Sequence, residues 1–233
     1  MVYKEKKARE LFAKKKYTKA LPLLEDLYAY KRGTPEAEEI YYMRAECLYN
    51  LEFYIEAAYH FEQFTRLFPE SALTERAAYL VAYSNFKNAP DVRLSQIETK
   101  TAVNYLQDFI DEYPESELTD SATMLMDQLR QRLELKMYNW ANLYYKMDYH
   151  GPAVQAFELL LEDFPETNLE EEIYYKMMRS AFLYAQRSVA IKQVERFEKL
   201  VDIYEQFVQK YPQSRFRKDA DLWIAQAQKV LGT

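Results

Sequence analysis

Side chains that usually carry chemistry are sparse in this 233-residue chain and do not converge. His60 and His150 are the only histidines, and neither belongs to an HExxH or other metal-ligand spacing. Cys47 is the only cysteine, so neither an intramolecular disulfide nor a cysteine-rich zinc site can form. Gly33, Gly151 and Gly232 are the only glycines, too few and too scattered for a loop that cradles phosphate. Glu38-Glu39 and Glu170-Glu171-Glu172 have the right groups for general acid and base catalysis. Both runs open predicted helices, however, where carboxylates favourably meet the macrodipole. The two histidines therefore read as packing or surface residues, and Cys47 as a buried structural thiol. No catalytic residue, cofactor or metal is expected.

The elements that could position a site are helices. Hydrophobic residues make up 49% of the chain, enough for a continuous core, while 22 Tyr and 13 Phe stand against 3 Gly. So little turn punctuation argues against sandwiches, barrels and Rossmann folds. The formal net charge is −6 and the sequence pI about 5.2, so the average surface repels a phosphate backbone and nucleic acid is not an expected partner. Basic residues gather only between Lys4 and Lys19, where Lys14, Lys15 and Lys16 run together; this reads as a solvated helix end. No stretch approaches the roughly eighteen apolar residues that span a bilayer, and Met1-Val2-Tyr3-Lys4 does not open a signal peptide.

Four of the 8 prolines share one phrase: Phe68-Pro69-Glu70-Ser71, Tyr113-Pro114-Glu115-Ser116, Phe164-Pro165-Glu166-Thr167 and Tyr211-Pro212-Gln213-Ser214. Proline cannot continue the preceding helix, and Ser or Thr two places later offers an oxygen to cap the next one, with Thr167 and Glu170 spaced as a capping box. Twelve residues before each proline stand Ala57, Ala102, Ala153 and Leu200; eight before, Phe61, Leu106, Phe157 and Tyr204; five before, Phe64, Phe109, Leu160 and Phe207. These steps of four and three trace one buried helix face. The preceding helices rhyme too, with a small residue at Ala45, Ala82 and Ser180, and Ala20, Ala57 and Ala153 as counterparts on the later helices.

This pattern resembles the tetratricopeptide repeat, although proline-to-proline steps of 45, 51 and 47 are long for it. The expected fold is all-α, a single superhelical domain over 1–233. Helix pairs are predicted near 3–32, 36–68, 72–113, 117–164 and 168–211, with a closing helix at 215–231. Leu118 to Met147 contains neither Gly nor Pro and is predicted as one helix serving two neighbours. In such a stack the earlier helix of each pair lines the concave side, where partners dock. Phe12, Tyr42, Tyr49, Tyr79 and Phe86 occur at or beside those positions, and aromatic anchors suit extended peptides with aromatic side chains. Arg44 and Arg179 stand where an apolar residue is usual; each either reaches a carboxylate at the repeat edge or marks a local misalignment.

Four segments carry a more specific likeness: Tyr17 to Leu27 with Lys31-Arg32-Gly33-Thr34, Tyr54 to Pro69, Asn104-Tyr105-Leu106-Gln107-Asp108-Phe109 through Ser116, and Leu129 to Pro165. The last includes Leu133, Leu135-Lys136, Tyr144-Tyr145, Tyr149 and Leu161-Glu162-Asp163-Phe164-Pro165. Over nearly its whole length the chain resembles the BamD family of outer-membrane assembly lipoproteins, in the form found in Bacteroidetes. The resemblance implies lipid anchoring through an N-terminal cysteine ahead of this chain, on the periplasmic face of the outer membrane. It implies as partners the last POTRA domain of BamA, unfolded β-barrel substrates and accessory lipoproteins of the same complex. Phe12, Tyr42, Tyr49 and Tyr79 would then belong to the substrate side, and Tyr145, Lys146, Asp148 and Tyr149 would lie near BamA. Other readings of the same helical repeat are a different periplasmic or cytosolic adaptor, or a peptidoglycan-binding protein.

Overall fold

The structure, a computed structural model, describes residues 2–232, which contain eleven α-helices and no β-strand. These are α1 (Val2–Ala13), α2 (Tyr17–Lys31), α3 (Glu36–Asn50), α4 (Tyr54–Leu67), α5 (Thr74–Asn88) and α6 (Ile97–Glu112). They continue with α7 (Thr119–Lys146), α8 (His150–Asp163), α9 (Glu170–Gln186), α10 (Ala190–Lys210) and α11 (Arg217–Leu231). The all-α helical-repeat class expected from the proline phrases is the one observed. Packing divides the chain into two compact units, Met1–Leu133 and Glu134–Thr233, with the boundary inside the 28-residue α7.

Each aromatic-proline phrase ends a helix. Phe68, Tyr113, Phe164 and Tyr211 leave helical angles, and each N–H still donates to the carbonyl four residues back, on Phe64, Phe109, Leu160 and Phe207. The Ser or Thr of the phrase does not cap the next helix as expected. Instead Ser71, Ser116, Thr167 and Ser214 each accept from the N–H two residues on, at 3.0–3.1 Å, and so tighten the turn ahead of the helix. The predicted capping box is likewise absent. Thr167 donates to Glu134 at 2.5 Å, while the Glu170 carboxylate accepts from Tyr211 at 2.6 Å and from Lys210. The reason is that a neighbouring helix presents a stronger partner than the helix's own first turn. Ser71 to Glu38 and Ser116 to Glu75 repeat this pin in unit 1.

The α1–α2, α3–α4 and α7–α8 turns share one geometry. Lys15, Glu52 and Asp148 sit at φ of 55°, 64° and 59°, and the next residue donates back to Leu11, Leu48 and Tyr144 at 2.8–3.0 Å. This Schellman closure is normally given to glycine, because a side chain in the left-handed region costs about 1–2 kcal/mol.

Eleven of the twelve stripe positions read from the prolines are buried; Tyr204 is half-buried and donates to Asp221 of α11 at 2.7 Å. The small residues behave as a matched set, for Ala20, Ala45, Ala57, Ala82, Ala153 and Ser180 are all shut away from solvent. In unit 1, Ala122 and Leu129 of α7 join Ala82, Ala102, Leu106 and Phe109; in unit 2, Ala141 of α7 joins Phe157, Leu160 and Met178. Removing Phe61 or Phe157 to alanine is expected to destabilise by about 3–5 kcal/mol, since each ring lies wholly in the core; chemical denaturation measures it. The hydroxyls of Ser84 and Ser180 are buried without a hydrogen-bond partner among the described residues. Ser84→Ala and Ser180→Ala are therefore expected to stabilise by about 1 kcal/mol, read as a higher denaturation midpoint.

Candidate functional site

Unit 1 carries a band of half-buried rings on α3 and α5. Tyr79, Tyr83 and Phe86 follow the i, i+4, i+7 spacing of one helix face and stack at 5.8 and 5.9 Å between centroids. Tyr49 of α3 meets Tyr83 at 6.0 Å and Tyr54 at 5.7 Å, and the Lys87 ammonium lies 5.7 Å from the Tyr54 ring. The Tyr79 hydroxyl is within 2.9 Å of Ser121 Oγ, which fixes the start of the band. Burial, reinforced by the neighbouring phenols of Tyr83 and Tyr54, pushes Tyr49 up to about 12, so its ring stays uncharged near neutral pH. The band can stack aromatic side chains of an extended partner; it holds no nucleophile or base.

Of the five anchors expected from sequence, three share this band: Tyr49, Tyr79 and Phe86. Tyr83, at the centre, was not among them, although its place one turn after Tyr79 and before Phe86 signals it. Tyr42 is 5% exposed and packs on Phe61 and Phe64, so its place is the core. Phe12 belongs to the α1–α2 packing, edge-on to Tyr17 at 5.7 Å.

Unit 2 presents a second surface where α7 turns into α8. Trp140 and Leu143 lie one helical turn apart on α7, and with Met147 and Tyr149 in the turn that follows they are each about half exposed, 48–52%. Trp140 packs edge-on against Tyr144 at 5.2 Å, and Lys146 and Asp148 are exposed beside this corner. Tyr145 points the other way. It contacts Phe157, accepts from Arg179 Nη1 at 2.6 Å and carries the guanidinium 5.3 Å from its ring. Arg179 is thus satisfied by a phenol and its π face, whereas Arg44 does reach a carboxylate, Glu25, at 3.4 Å. One turn away, Lys176 donates to Tyr138 at 2.6 Å and Asn142 at 3.0 Å and pairs with Glu172 at 2.6 Å. Burial pulls the Lys176 pKa down, but Glu172 and Tyr138 more than offset it, and the ammonium is held charged.

The groups capable of chemistry are occupied elsewhere. Cys47 is buried, which pushes its thiol up to about 12. His150 Nε2 lies 2.9 Å from the Arg187 guanidinium, and burial and that cation lower its pKa. Among the described residues no group of three His, Cys, Asp or Glu side chains is placed to hold a metal. His60 Nδ1 lies 3.1 Å from the Tyr41 hydroxyl, and burial followed by the Arg44 charge lowers its pKa from 6.5 to about 4. The unfolded chain therefore takes this proton first. The stability that neutral His60 lends is present above about pH 6.5 and is lost as pH falls toward 4. The free-energy advantage of the wild type over His60→Gln is expected to shrink across that window, measured by denaturation at a series of pH values.

Both surfaces fall within residues 2–187, which match the YfiO family model, described as an outer membrane lipoprotein family. The chain is 30% identical over 200 residues to an Aquifex aeolicus protein designated a BamD outer membrane protein assembly factor, covering 85% of this chain and 61% of that relative. It is 26% identical over 173 residues to BamD of Rickettsia prowazekii, covering 73% of this chain and 68% of the relative. With BamD of Caulobacter vibrioides it shares 25% identity over 127 residues, 54% of this chain and 42% of the relative. The chain thus spans between about two-fifths and two-thirds of the length of these relatives. A solved structure of the yeast histone chaperone Hif1 aligns with 100% of this chain and 93% of its own at 17% identity, but with a TM-score of 0.30 it has no bearing on function. The chain belongs to the YfiO family of outer membrane lipoproteins, the family of the BamD assembly factors.

Proposed function

We propose that this chain is a noncatalytic scaffold for assembling β-barrel proteins into the outer membrane, working at its periplasmic face. The α7–α8 corner docks the membrane-proximal POTRA domain of BamA, and the aromatic band of unit 1 receives extended aromatic segments of unfolded barrel substrates. The reading rests first on one observation: Trp140, Leu143, Met147 and Tyr149 leave an apolar corner half in water on an otherwise acidic protein. Such a cluster, rimmed by Lys146 and Asp148, has the composition of a protein interface, with aromatic and Met anchors inside and charges at the edge. The designation of the BamD relatives as outer membrane assembly factors supplies the context.

Two kinds of partner contact are combined here. The corner offers rigid anchors for a folded domain, whereas the neutral stacked rings of the band accept different aromatic side chains without a demanding hydrogen-bond pattern. Leu143→Glu with Met147→Glu is expected to weaken co-purification with BamA's periplasmic domains by about 30-fold or more, as loss of an interface hot spot does. The charge reversals Lys146→Glu and Asp148→Lys act more weakly and depend on salt. An undiminished complex with the double Glu variant, at an unchanged melting temperature, refutes this assignment of the corner.

A further inference from the structure

Tyr42, Glu46 and Tyr49 follow the i, i+4, i+7 spacing of one face of α3, and Arg76, Tyr79 and Tyr83 follow i, i+3, i+7 on α5. The aromatic band uses the later members of both stripes. One turn nearer the start of each helix stands a charge instead, Glu46 three residues before Tyr49 and Arg76 three before Tyr79. Other carboxylates of these helices are engaged, for Glu38 accepts from Ser71, Glu39 from Arg9 at 2.8 Å and Glu75 from Ser116. The Glu46 carboxylate has no hydrogen-bond or ion-pair partner among the described residues, and Arg76 forms no ion pair there.

Both charges act on one buried hydroxyl. Tyr42 is 5% exposed, and its Oη is shut from solvent with no hydrogen-bond partner among the described residues. Burial and then the Glu46 charge push this phenol up to about 12, while the Arg76 guanidinium approaches closely enough to oppose the shift without completing a bond. Glu46 is itself half-buried; desolvation raises its pKa, and the Arg76 charge offsets only part of the rise. A desolvated carboxylate, an exposed guanidinium and an orphaned hydroxyl thus stand together with hydrogen-bonding capacity unused. Buried polar groups are normally partnered, so a ligand that meets these gains what the free protein forgoes.

The two charges select the ligand. A lysine or arginine side chain would pair with Glu46 but be repelled by Arg76, and a carboxylate would do the reverse. A neutral group with a donor on one side and an acceptor on the other suits both. The peptide group has that form, because its N–H and C=O point in opposite directions across a planar trans unit. Lying between α3 and α5, it donates to Glu46 and accepts from Arg76. Three residues of helix rise about 4.5 Å and an extended chain advances about 3.3 Å per residue, so a segment stacked on the band brings its main chain here within one or two residues.

We propose that Glu46 and Arg76 hold one main-chain peptide group of the extended segment stacked on the aromatic band, and that Arg76, drawn inward by it, gives the Tyr42 hydroxyl its missing partner. This grip rests on the band being the substrate site, and it adds backbone, which every sequence carries, to the aromatic side chains that the rings accept. Successive side chains of an extended chain point to opposite faces, so fixing one peptide group also fixes which alternate residues meet the rings.

Fluorescence anisotropy of the full chain with a labelled, end-capped serine peptide carrying two phenylalanines one residue apart tests it. Methylating each backbone nitrogen in turn is expected to cost about tenfold in affinity at one amide and little at the others, as losing a hydrogen bond to a charged acceptor does. Glu46→Ala weakens the parent peptide by about tenfold and Arg76→Ala by about fivefold, without lowering the melting temperature, since neither side chain has an ion pair to lose. In Glu46→Ala, methylation at the sensitive amide costs nothing further, an outcome that a merely structural effect of the substitution does not produce. Affinity unmoved by Glu46→Ala, or two losses that simply multiply, overturns the proposal. So does a lysine or glutamine beside the phenylalanines that tightens binding to the wild type but not to Glu46→Ala, which assigns the seat to a side chain. If the wild type does not bind the parent peptide, the band falls as a site and the seat with it. Binding lost in Tyr83→Ala but unchanged in Glu46→Ala leaves the band standing and removes the seat alone.

Discussion

No helix pair of this chain can hide its apolar stripe alone, and every other feature follows from how that stripe is covered. Phe61, Phe64, Phe157 and Phe207 lie wholly inside, each facing positions kept small enough for backbones to approach. Burying one such ring contributes roughly 1.5–3 kcal/mol, but only when the neighbouring helix is already in place. Stability is therefore a property of the stack, and a methyl group too many at Ala57 or Ala153 acts on two helices at once. The aromatic before each proline belongs to the same constraint, because it ends the helix and plugs the seam in one step.

Polar contacts serve orientation more than stability. Most ion pairs are exposed and worth about 0–1 kcal/mol, whereas the pins from Ser71, Ser116 and Thr167 to glutamates of neighbouring helices tie each turn to its support. Lys15, Glu52 and Asp148 occupy left-handed conformations without glycine's freedom, which keeps these turns stiff at some conformational cost. Rigid turns matter because side chains of the two proposed binding surfaces stand beside them. Tyr149 follows Asp148 directly, and Tyr54 of the aromatic band stands two residues after Glu52.

The same burial that builds the stack quiets its reactive groups. Cys47 is pushed up to about 12 and His60 down to about 4, so neither is poised to exchange a proton near neutral pH. Aromatic surface is what remains available for recognition. In unit 1 it forms a neutral band, and in unit 2 an apolar corner, the two surfaces proposed here to meet polypeptide.

Helix boundaries were legible in the chain because they depend on local steric rules: the aromatic-proline phrase ends a helix each time it occurs, although Pro22 is carried inside α2, and a period of three and four marks a face. Glu170 shows where local rules stop, since its spacing from Thr167 suits a capping box but Tyr211 and Lys210, distant in sequence, claim the carboxylate. Tyr42 and Tyr49 likewise sit on one helix with similar sequence surroundings, yet one is core and the other lies in the band, because only the packed neighbour decides which rings remain reachable. Periodicity alone cannot distinguish the two apolar faces of α7, one around Ala141 and buried, the other at Trp140 and Leu143 and half exposed. Composition and spacing thus determined that helices form, where they break and that their stripes are hidden. Which side chains are left over for partners was decided only in three dimensions, because exposure is what remains after residues far apart in sequence have covered one another.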